Sequence, residues 1–382
     1  MTKAIYFGGA AMTRFGRHDS SSMQNLAQEA VLGALNDAGL SYADVDATYC
    51  ANVYGGMVLG QVLLRDLGGE GRPLYNIENA CASGATAVHL ARHALLAGEY
   101  ETVVVFGIEQ LTKLGGGAIP LQRNDYMTEI YADQGMILPA VYAMRATRYL
   151  DDYGVGADLL GRVAVKNRYN GARNPYAQTQ EEVTLEAVMN SRMVADPLTL
   201  LQCCPSAVDG AAAVVLTTRR PASGTPVRLL ASIVQSGQRE EHDDNILDAE
   251  ITRRAATLAY AQAGLGPSDI DVVELHDAFT IAELLYYEAL GLAAPGDGPA
   301  LLLSGETSLG GRVPVNPSGG LLAKGHPLGA TGVAQMVELA WQLQGRAQGR
   351  QVQQARVGLA QCTGGGIAGV DHAASSVHIL GI

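Results

Sequence analysis

The sequence predicts an α/β protein assembled from two copies of one unit. Three observations carry that prediction. Short apolar runs alternate with alanine-rich helical stretches along most of the 382 residues, punctuated by 46 glycines. The segment Ala38-Gly39-Leu40-Ser41-Tyr42-Ala43-Asp44-Val45-Asp46 returns as Ala263-Gly264-Leu265-Gly266-Pro267-Ser268-Asp269-Ile270-Asp271, at an offset of 263 − 38 = 225. In both copies it follows an alanine-rich helix and leads into an apolar strand. Gly84-Ala85-Thr86 likewise returns as Gly329-Ala330-Thr331, each time opening a helical stretch. With 48% apolar residues, the chain is long enough for two core-forming halves.

Taken in order, residues 4–7 form an opening strand that ends at Gly8-Gly9. Residues 25–36 form an amphipathic helix stopped by Gly39, and 46–50 the next strand. Residues 57–66 read as helical, and 74–77 lead into Glu78-Asn79-Ala80-Cys81-Ala82-Ser83, where Ser83 can cap the helix that follows. Thr102-Val103-Val104-Val105-Phe106-Gly107 is a continuous apolar run, as expected of a strand buried on both faces. From Leu114 to about Ser191 the alternation stops. Gly115-Gly116-Gly117, several tyrosines and short helical pieces (142–153 and 161–169) replace it. This reads as an excursion over the core that shapes a substrate site. Its basic residues, among them Arg145, Lys166 and Arg168, could meet phosphates or lie on a solvated helix face.

Residues 209–216 return as a strand, and 218–225, with Pro221 and Gly224, link the halves. The second half opens with a strand at 227–234 and a helix at 249–263. A strand at 272–275 follows and ends in His276-Asp277-Ala278-Phe279, with a helix at 280–290. The C-terminal end of a strand in an open α/β sheet is where ligands bind. A last strand, 357–360, runs into Gln361-Cys362-Thr363-Gly364-Gly365-Gly366. Glycines there permit close backbone approach and leave N–H donors free, as an oxyanion hole requires, although glycine-rich turns are also common without that role. The units therefore divide as 1–113 with 192–220 for the first half, 114–191 for the inserted loop domain and 226–382 for the second half.

The repeat also locates the chemistry. Aligning the two Gly-Ala-Thr triplets sets Cys81 opposite His326, each three residues before the shared glycine. A lone cysteine at a strand-to-helix corner can simply fill space. A cysteine and a histidine at equivalent helix starts of two packed halves can instead face each other, as nucleophilic acyl transfer requires. At the helix N-terminus, unpaired N–H groups and the macrodipole would favour the Cys81 thiolate.

A net charge of −12 argues against nucleic acid or an anionic membrane as principal partner, while a few local cations would suffice for a phosphorylated ligand. The five cysteines make no disulfide framework, which suits a reducing compartment. With no leader, no long charge-free apolar run and no C-terminal address, the expectation is a cytoplasmic protein without membrane insertion.

Taken together, Cys81, His276-Asp277-Ala278-Phe279, Gly325-His326-Pro327 and Cys362-Thr363-Gly364-Gly365-Gly366 form a specific combination, and the sequence resembles the thiolase family over nearly its whole length. Within it, Asn174-Pro175-Tyr176, Leu201-Gln202-Cys203-Cys204-Pro205, Glu274-Leu275-His276-Asp277 and Asn316-Pro317-Ser318-Gly319-Gly320 resemble thiolases of the sterol carrier protein type. The resemblance implies a five-layer αβαβα fold, a homodimer or dimer of dimers, and acyl-CoA or 3-ketoacyl-CoA substrates. It implies no permanent cofactor and no metal, with coenzyme A as substrate or product. It further implies Cys81 as acylated nucleophile, His326 as its base and Cys362 as the acid/base at the substrate α-carbon. His276 stands where many thiolases have asparagine, and with His326 would serve the thioester oxygen. The N–H groups of Cys81 and Gly364 would form a second oxyanion hole. Arg145, Lys166, Arg168, Ser318, Gly319 and Lys324 are candidate contacts to coenzyme A. Some relatives work with a small OB-fold subunit. Ala278 departs from the sterol carrier type, which often places cysteine there, so the second thiol is the one at Cys362. A ketosynthase-like enzyme, an acyltransferase to a non-CoA acceptor and an inactive lipid-binding scaffold are the alternatives; Cys362 speaks against the ketosynthase, which needs no α-proton shuttle.

Overall fold

The computed structural model describes residues 3–68, 71–114, 129–130, 133–238, 245–365 and 372–382. The first half contributes β1 (Tyr6–Met12), α1 (Met23–Ala38), β2 (Ala47–Ala51), α2 (Leu59–Leu64), β3 (Leu74–Ile77), α3 (Ser83–Ala97) and β4 (Thr102–Gln110). An excursion follows: α4 (Leu138–Tyr153), α5 (Asp158–Gly171), α6 (Leu185–Met189) and a small hairpin of β5 (Met193–Ala195) and β6 (Leu198–Thr199). The triple glycine at 115–117 lies outside the described residues. β7 (Asp209–Thr217) closes the first half. The second half runs β8 (Arg228–Ser236), α7 (Glu250–Ala263), β9 (Val272–Glu274), α8 (Thr280–Ala289), α9 (Gly298–Leu303), α10 (Gly320–Ala323), α11 (Leu328–Leu343), β10 (Val357–Gly364) and β11 (Ala374–Gly381).

The strands line up in the order β3-β2-β4-β7-β1-β8-β11-β10-β9. The repeat read from the sequence is visible in this order. Each half has a parallel pair (β2–β4, β9–β10) followed by antiparallel partners (β7 then β1, β11 then β8). Even β3 has a counterpart, because Val315 makes an isolated parallel bridge to Val273 of β9. The halves join where β1 meets β8 at Tyr6 and Arg228, and the Phe7 N–H donates to the Val227 carbonyl at 2.9 Å.

Five layers result. α1 covers the outer face of the first half-sheet and α7 that of the second, while α3 and α11 pack on each other between the two. The central contact is close because its helices carry glycine where they cross. A Cβ on Gly332 would lie 2.3 Å from the Ala85 nitrogen, and one on Gly84 2.8 Å from the Gly329 carbonyl oxygen. All of α11 is buried, as its apolar composition requires. Among the described residues, no helix is long and apolar enough to cross a membrane.

Candidate active site

Cys81 sits on the sharp turn between β3 and α3. The turn forces Ala80 to φ +48°, a left-handed conformation that costs a non-glycine residue about 1 kcal/mol. Local side chains hold it. The Asn79 N–H donates to Ser83 Oγ at 2.8 Å, Ser83 Oγ–H donates to the Ala80 carbonyl at 2.6 Å, and the Ala80 N–H donates to Glu78 Oε1 at 2.7 Å. Ser83 therefore braces the turn instead of capping the helix. The cap position falls one residue earlier, at Ala82, and lacks a side-chain bond.

His326 lies at the equivalent position before α11, fully inside the protein. Its Nδ1 is 2.8 Å from Thr331 Oγ1, and that hydroxyl donates to the Pro327 carbonyl at 3.0 Å. With its one proton committed there, Thr331 can only accept from Nδ1–H, so the neutral ring keeps the lone pair on Nε2. His276 follows the end of β9. Its N–H donates to Gln361 Oε1 at 3.0 Å, and its ring lies edge-on to that of His326, centroids 4.9 Å apart. Nε2 of His276 is buried without a partner. Nδ1 is 3.2 Å from Thr363 Oγ1, itself 3.1 Å from the Tyr286 hydroxyl. His326 thus presents an unprotonated Nε2, while the tautomer of His276 is set by its bond to Thr363.

The donor atoms of Cys81, His276 and His326 lie within 4.8 Å of one another, close enough that the trio could also hold a metal ion. Cys362, near the end of β10, points its thiol at the Cys81 carbonyl, 3.2 Å away. Beside it Gly364 has no room for a side chain: a Cβ would fall 2.5 Å from the Asn79 oxygen and 3.0 Å from the Cys81 nitrogen. The N–H groups that favour the Cys81 thiolate are those of Gly365 and of Cys81 itself. Gly366 lies outside the described residues.

Burial dominates the electrostatics. It pushes the Cys81 thiol up to about 12, against the pull of the Gly365 N–H and with a further push from Glu109. This reverses the expectation of a depressed thiol, because desolvation outweighs the helix end. Burial also pushes His326 down to about 3 and holds His276 well below the usual histidine range. Cys362 is raised far above an ordinary thiol by burial and by Cys81. All four shifts favour the uncharged form, protonated thiols and neutral imidazoles.

The candidate coenzyme A contacts fare differently. Arg145 is buried and spends its guanidinium on the carbonyls of Ile246 (2.6 Å) and Asp248 (3.0 Å). Lys166 is buried against Glu283 at 2.8 Å and the Val315 carbonyl at 2.8 Å. Lys324 and Ser318 both clamp the buried Glu274, at 3.3 and 2.6 Å. Gly319, at φ +97°, is a close-packing position, with the Gly171 Cα 2.7 Å from its virtual Cβ. These five are engaged within the scaffold, four through side-chain bonds and Gly319 through close packing. Arg168 is half-buried, with Nε unpartnered.

Sequence reasoning missed several supports. Glu109, buried in β4, accepts the N–H groups of Val53, Tyr54 and Gly329 at 3.0, 3.0 and 3.1 Å, tying the two halves together beside the site. Thr331, Thr363, Tyr286 and His372 were also missed. Only Thr331 had a signal, its place in the repeated Gly-Ala-Thr triplet.

Comparison with known proteins gives the family. Residues 5–220 match the thiolase N-terminal domain, and residues 233–381 match a thiolase C-terminal domain-like family. The acetyl-CoA acetyltransferase of Methanothermobacter thermautotrophicus is 41% identical over 366 residues, covering 94% of this chain and 95% of that protein. The benzoylsuccinyl-CoA thiolase subunit BbsB of Thauera aromatica is 39% identical over 375 residues, 96% of each chain. Human sterol carrier protein 2 is 37% identical over 379 residues, 94% of this chain and 69% of its own. Among solved structures, an Ltp2–ChsH2(DUF35) aldolase superposes with a TM-score of 0.85 at 28% identity, covering 99% of this chain and 98% of its own. Human mitochondrial 3-ketoacyl-CoA thiolase shares the fold, with a TM-score of 0.73 at 18% identity over 100% of this chain and 99% of its own. The chain belongs to the thiolase family of acyltransferases.

Proposed function

We propose that the protein acts on 3-ketoacyl-CoA or acyl-CoA thioesters through an acyl-enzyme on Cys81, by thiolytic cleavage or the reverse Claisen condensation. In cleavage, Cys81 Sγ attacks the 3-keto carbon while its proton passes to His326 Nε2. The oxyanion formed is met by the N–H groups of Cys81 and of the Gly364–Gly365 turn. The C2–C3 bond then breaks, and its electron pair leaves as the enolate of the departing CoA thioester. The enolate oxygen is met by His276, and Cys362 delivers the proton to C2. A second coenzyme A thiol then attacks the acyl-Cys81 carbonyl, passing its proton to the Cys362 thiolate. The Cys81 Sγ–acyl bond breaks to release the shortened acyl-CoA, and Cys81 takes back the proton held by His326.

The observation that carries this reading is the convergence of one thiol and two imidazoles within 4.8 Å, with a second thiol 3.2 Å from the Cys81 carbonyl. Coenzyme A would enter as substrate, with no resident cofactor. We extend the reading to a cytoplasmic homodimer, with a small OB-fold partner suggested by the BbsB subunit and by the DUF35 protein named with the aldolase neighbour. Mass measurement of the Cys81 peptide after incubation with a panel of acyl-CoAs tests the core of it. Acyl adducts confined to Cys81 support the mechanism. Absence of any adduct would point to an aldolase-type cleavage without acyl-enzyme, or to a scaffold.

A further inference from the structure

A third buried histidine stands beside the site and takes no part in the chemistry above. His372 precedes β11, and its ring lies edge-on to that of His276, centroids 6.2 Å apart. Its Nδ1 is 2.8 Å from the Gly365 carbonyl oxygen, and its Nε2 is 2.6 Å from the Tyr142 hydroxyl. A carbonyl can only accept, so Nδ1 carries a proton, and Nε2 of the neutral ring accepts from the phenol. Tyr142 comes from α4 of the excursion and is fixed in turn. Its ring stacks on Phe279, three residues beyond His276, at 4.4 Å and an interplanar angle of 25°.

The residue gripped by His372 matters. Gly365 follows the glycine that packs on the Cys81 backbone, and a Cβ at Gly365 itself would sit 3.5 Å from the Ala80 Cβ. Its N–H and that of Cys81 itself pull the Cys81 thiol down against the rise that burial causes. At φ +64° it occupies a conformation that its own sequence does not restrict, since glycine adopts either sign of φ freely. The His372 bond holds the Gly365 carbonyl and with it ψ of this glycine, which limits how far the turn can move from the Cys81 elbow. We infer that Tyr142 and His372 are positioning residues, forming a hydrogen-bonded strut from the excursion helix to Gly365 that holds the Gly364–Gly365 turn against the Cys81 elbow. The role parallels that of outer partners that orient catalytic ligands elsewhere. It also gives the excursion a part in chemistry and not only in substrate shape. The inference rests on the acyl-enzyme reading for its consequence and on geometry alone for its existence.

The test uses Tyr142→Phe, His372→Ala and His372→Asn, the last because an asparagine amide can replace Nδ1–H. Cys81 acylation by acetyl-CoA and its alkylation by iodoacetamide at fixed pH are both timed, alongside thermal midpoints. His372→Ala should slow both by about 10- to 100-fold, in kcat more than in KM. His372→Asn should recover most of that loss. Tyr142→Phe keeps the stacked ring and so the fold, and should slow both about 3- to 10-fold. Wild-type rates in Tyr142→Phe and His372→Ala would overturn the strut. So would an Asn variant as slow as Ala at equal thermal midpoint. If wild-type protein is never acylated, the acyl-enzyme reading fails by itself, and the alkylation rates still decide the strut.

Discussion

The Cys81 turn and the His326 turn occupy equivalent places in the two halves, yet they are built in opposite ways. The first is strained and partly open: Ala80 is left-handed, Glu78 and Ser83 brace it, and α3 has an exposed outer face. The second is relaxed and enclosed: Pro327 leads without strain into a helix buried along its whole length. The difference matches the two tasks proposed for these residues. A nucleophile must protrude toward an incoming carbonyl, which a tight elbow achieves, whereas a base must stay dry and fixed so that its basicity is set by burial. Duplication supplied two helix starts facing each other, and the surroundings made one a thiol and the other an imidazole.

Cys81→Ser breaks the comparison most severely. The hydroxyl fits the same elbow, so the fold should persist while acyl transfer falls by about 10⁵-fold. A stopped assay on the purified variant, with circular dichroism as control, checks it, and retained turnover would remove Cys81 from the mechanism. Next in size is Cys362→Ala. Acylation of Cys81 by acetyl-CoA should survive, while carbon–carbon bond formation and exchange of the acetyl methyl protons with deuterated water should drop about 10³-fold. Undiminished condensation in this variant would favour a decarboxylating enzyme.

The two histidines should then part company. His326→Ala removes the base and should slow acylation about 10²-fold or more. His276→Ala removes an oxyanion donor worth about 3 kcal/mol, mostly from the carbon–carbon step, and leaves Cys81 open to alkylation. Equal loss of alkylation in both would contradict the division of roles proposed for them. A smaller effect reads the thiol itself. Because burial pushes Cys81 up to about 12, its thiolate fraction rises with pH throughout the accessible range. Alkylation should climb close to tenfold per pH unit between pH 7 and 10 with no plateau. A plateau near pH 8 would restore the helix-end account of a depressed thiol.

Much of this was legible in the sequence, and the failures have a common cause. The repeat, the doubly buried β4 and the four reactive groups stand out because each leaves a local pattern of apolar runs, glycines or motif spacing. β11 went unseen because Ser375, Ser376 and His378 make it read as polar. In the fold Ser375 meets Thr252 at 3.1 Å and Ser376 meets the Cys362 carbonyl at 3.0 Å, so the strand is buried all the same. Lys166 and Lys324 looked available to phosphates because their carboxylate partners, Glu283 and Glu274, lie far off in sequence. The Cys81 thiol was misjudged for the same reason. A helix terminus is a local signal, whereas desolvation depends on everything packed around it.

The smallest predicted effect is also the most direct probe of how the copies diverged. Thr86 and Thr331 are equivalent members of the repeated Gly-Ala-Thr triplet, five residues after Cys81 and His326. Thr86 Oγ1 accepts from the Asn79 side chain at 3.0 Å, so its bond holds the elbow two residues before the nucleophile. Thr331 Oγ1 instead accepts from His326 Nδ1 at 2.8 Å and so sets which nitrogen of the base is free. Replacing either by valine keeps shape and removes the hydroxyl. In Thr331→Val the ring loses the acceptor that selects its tautomer, and the fraction with Nε2 unprotonated falls. Acylation should slow by about tenfold with little change in thermal midpoint. In Thr86→Val the lost bond is structural, and about 1 kcal/mol of stability should go while the acylation rate of the folded enzyme stays within about threefold. Measuring both quantities on both variants separates the roles. If Thr86→Val proved the slower enzyme, or Thr331→Val merely the less stable one, the division between a braced elbow and a tautomer-locked base would be wrong.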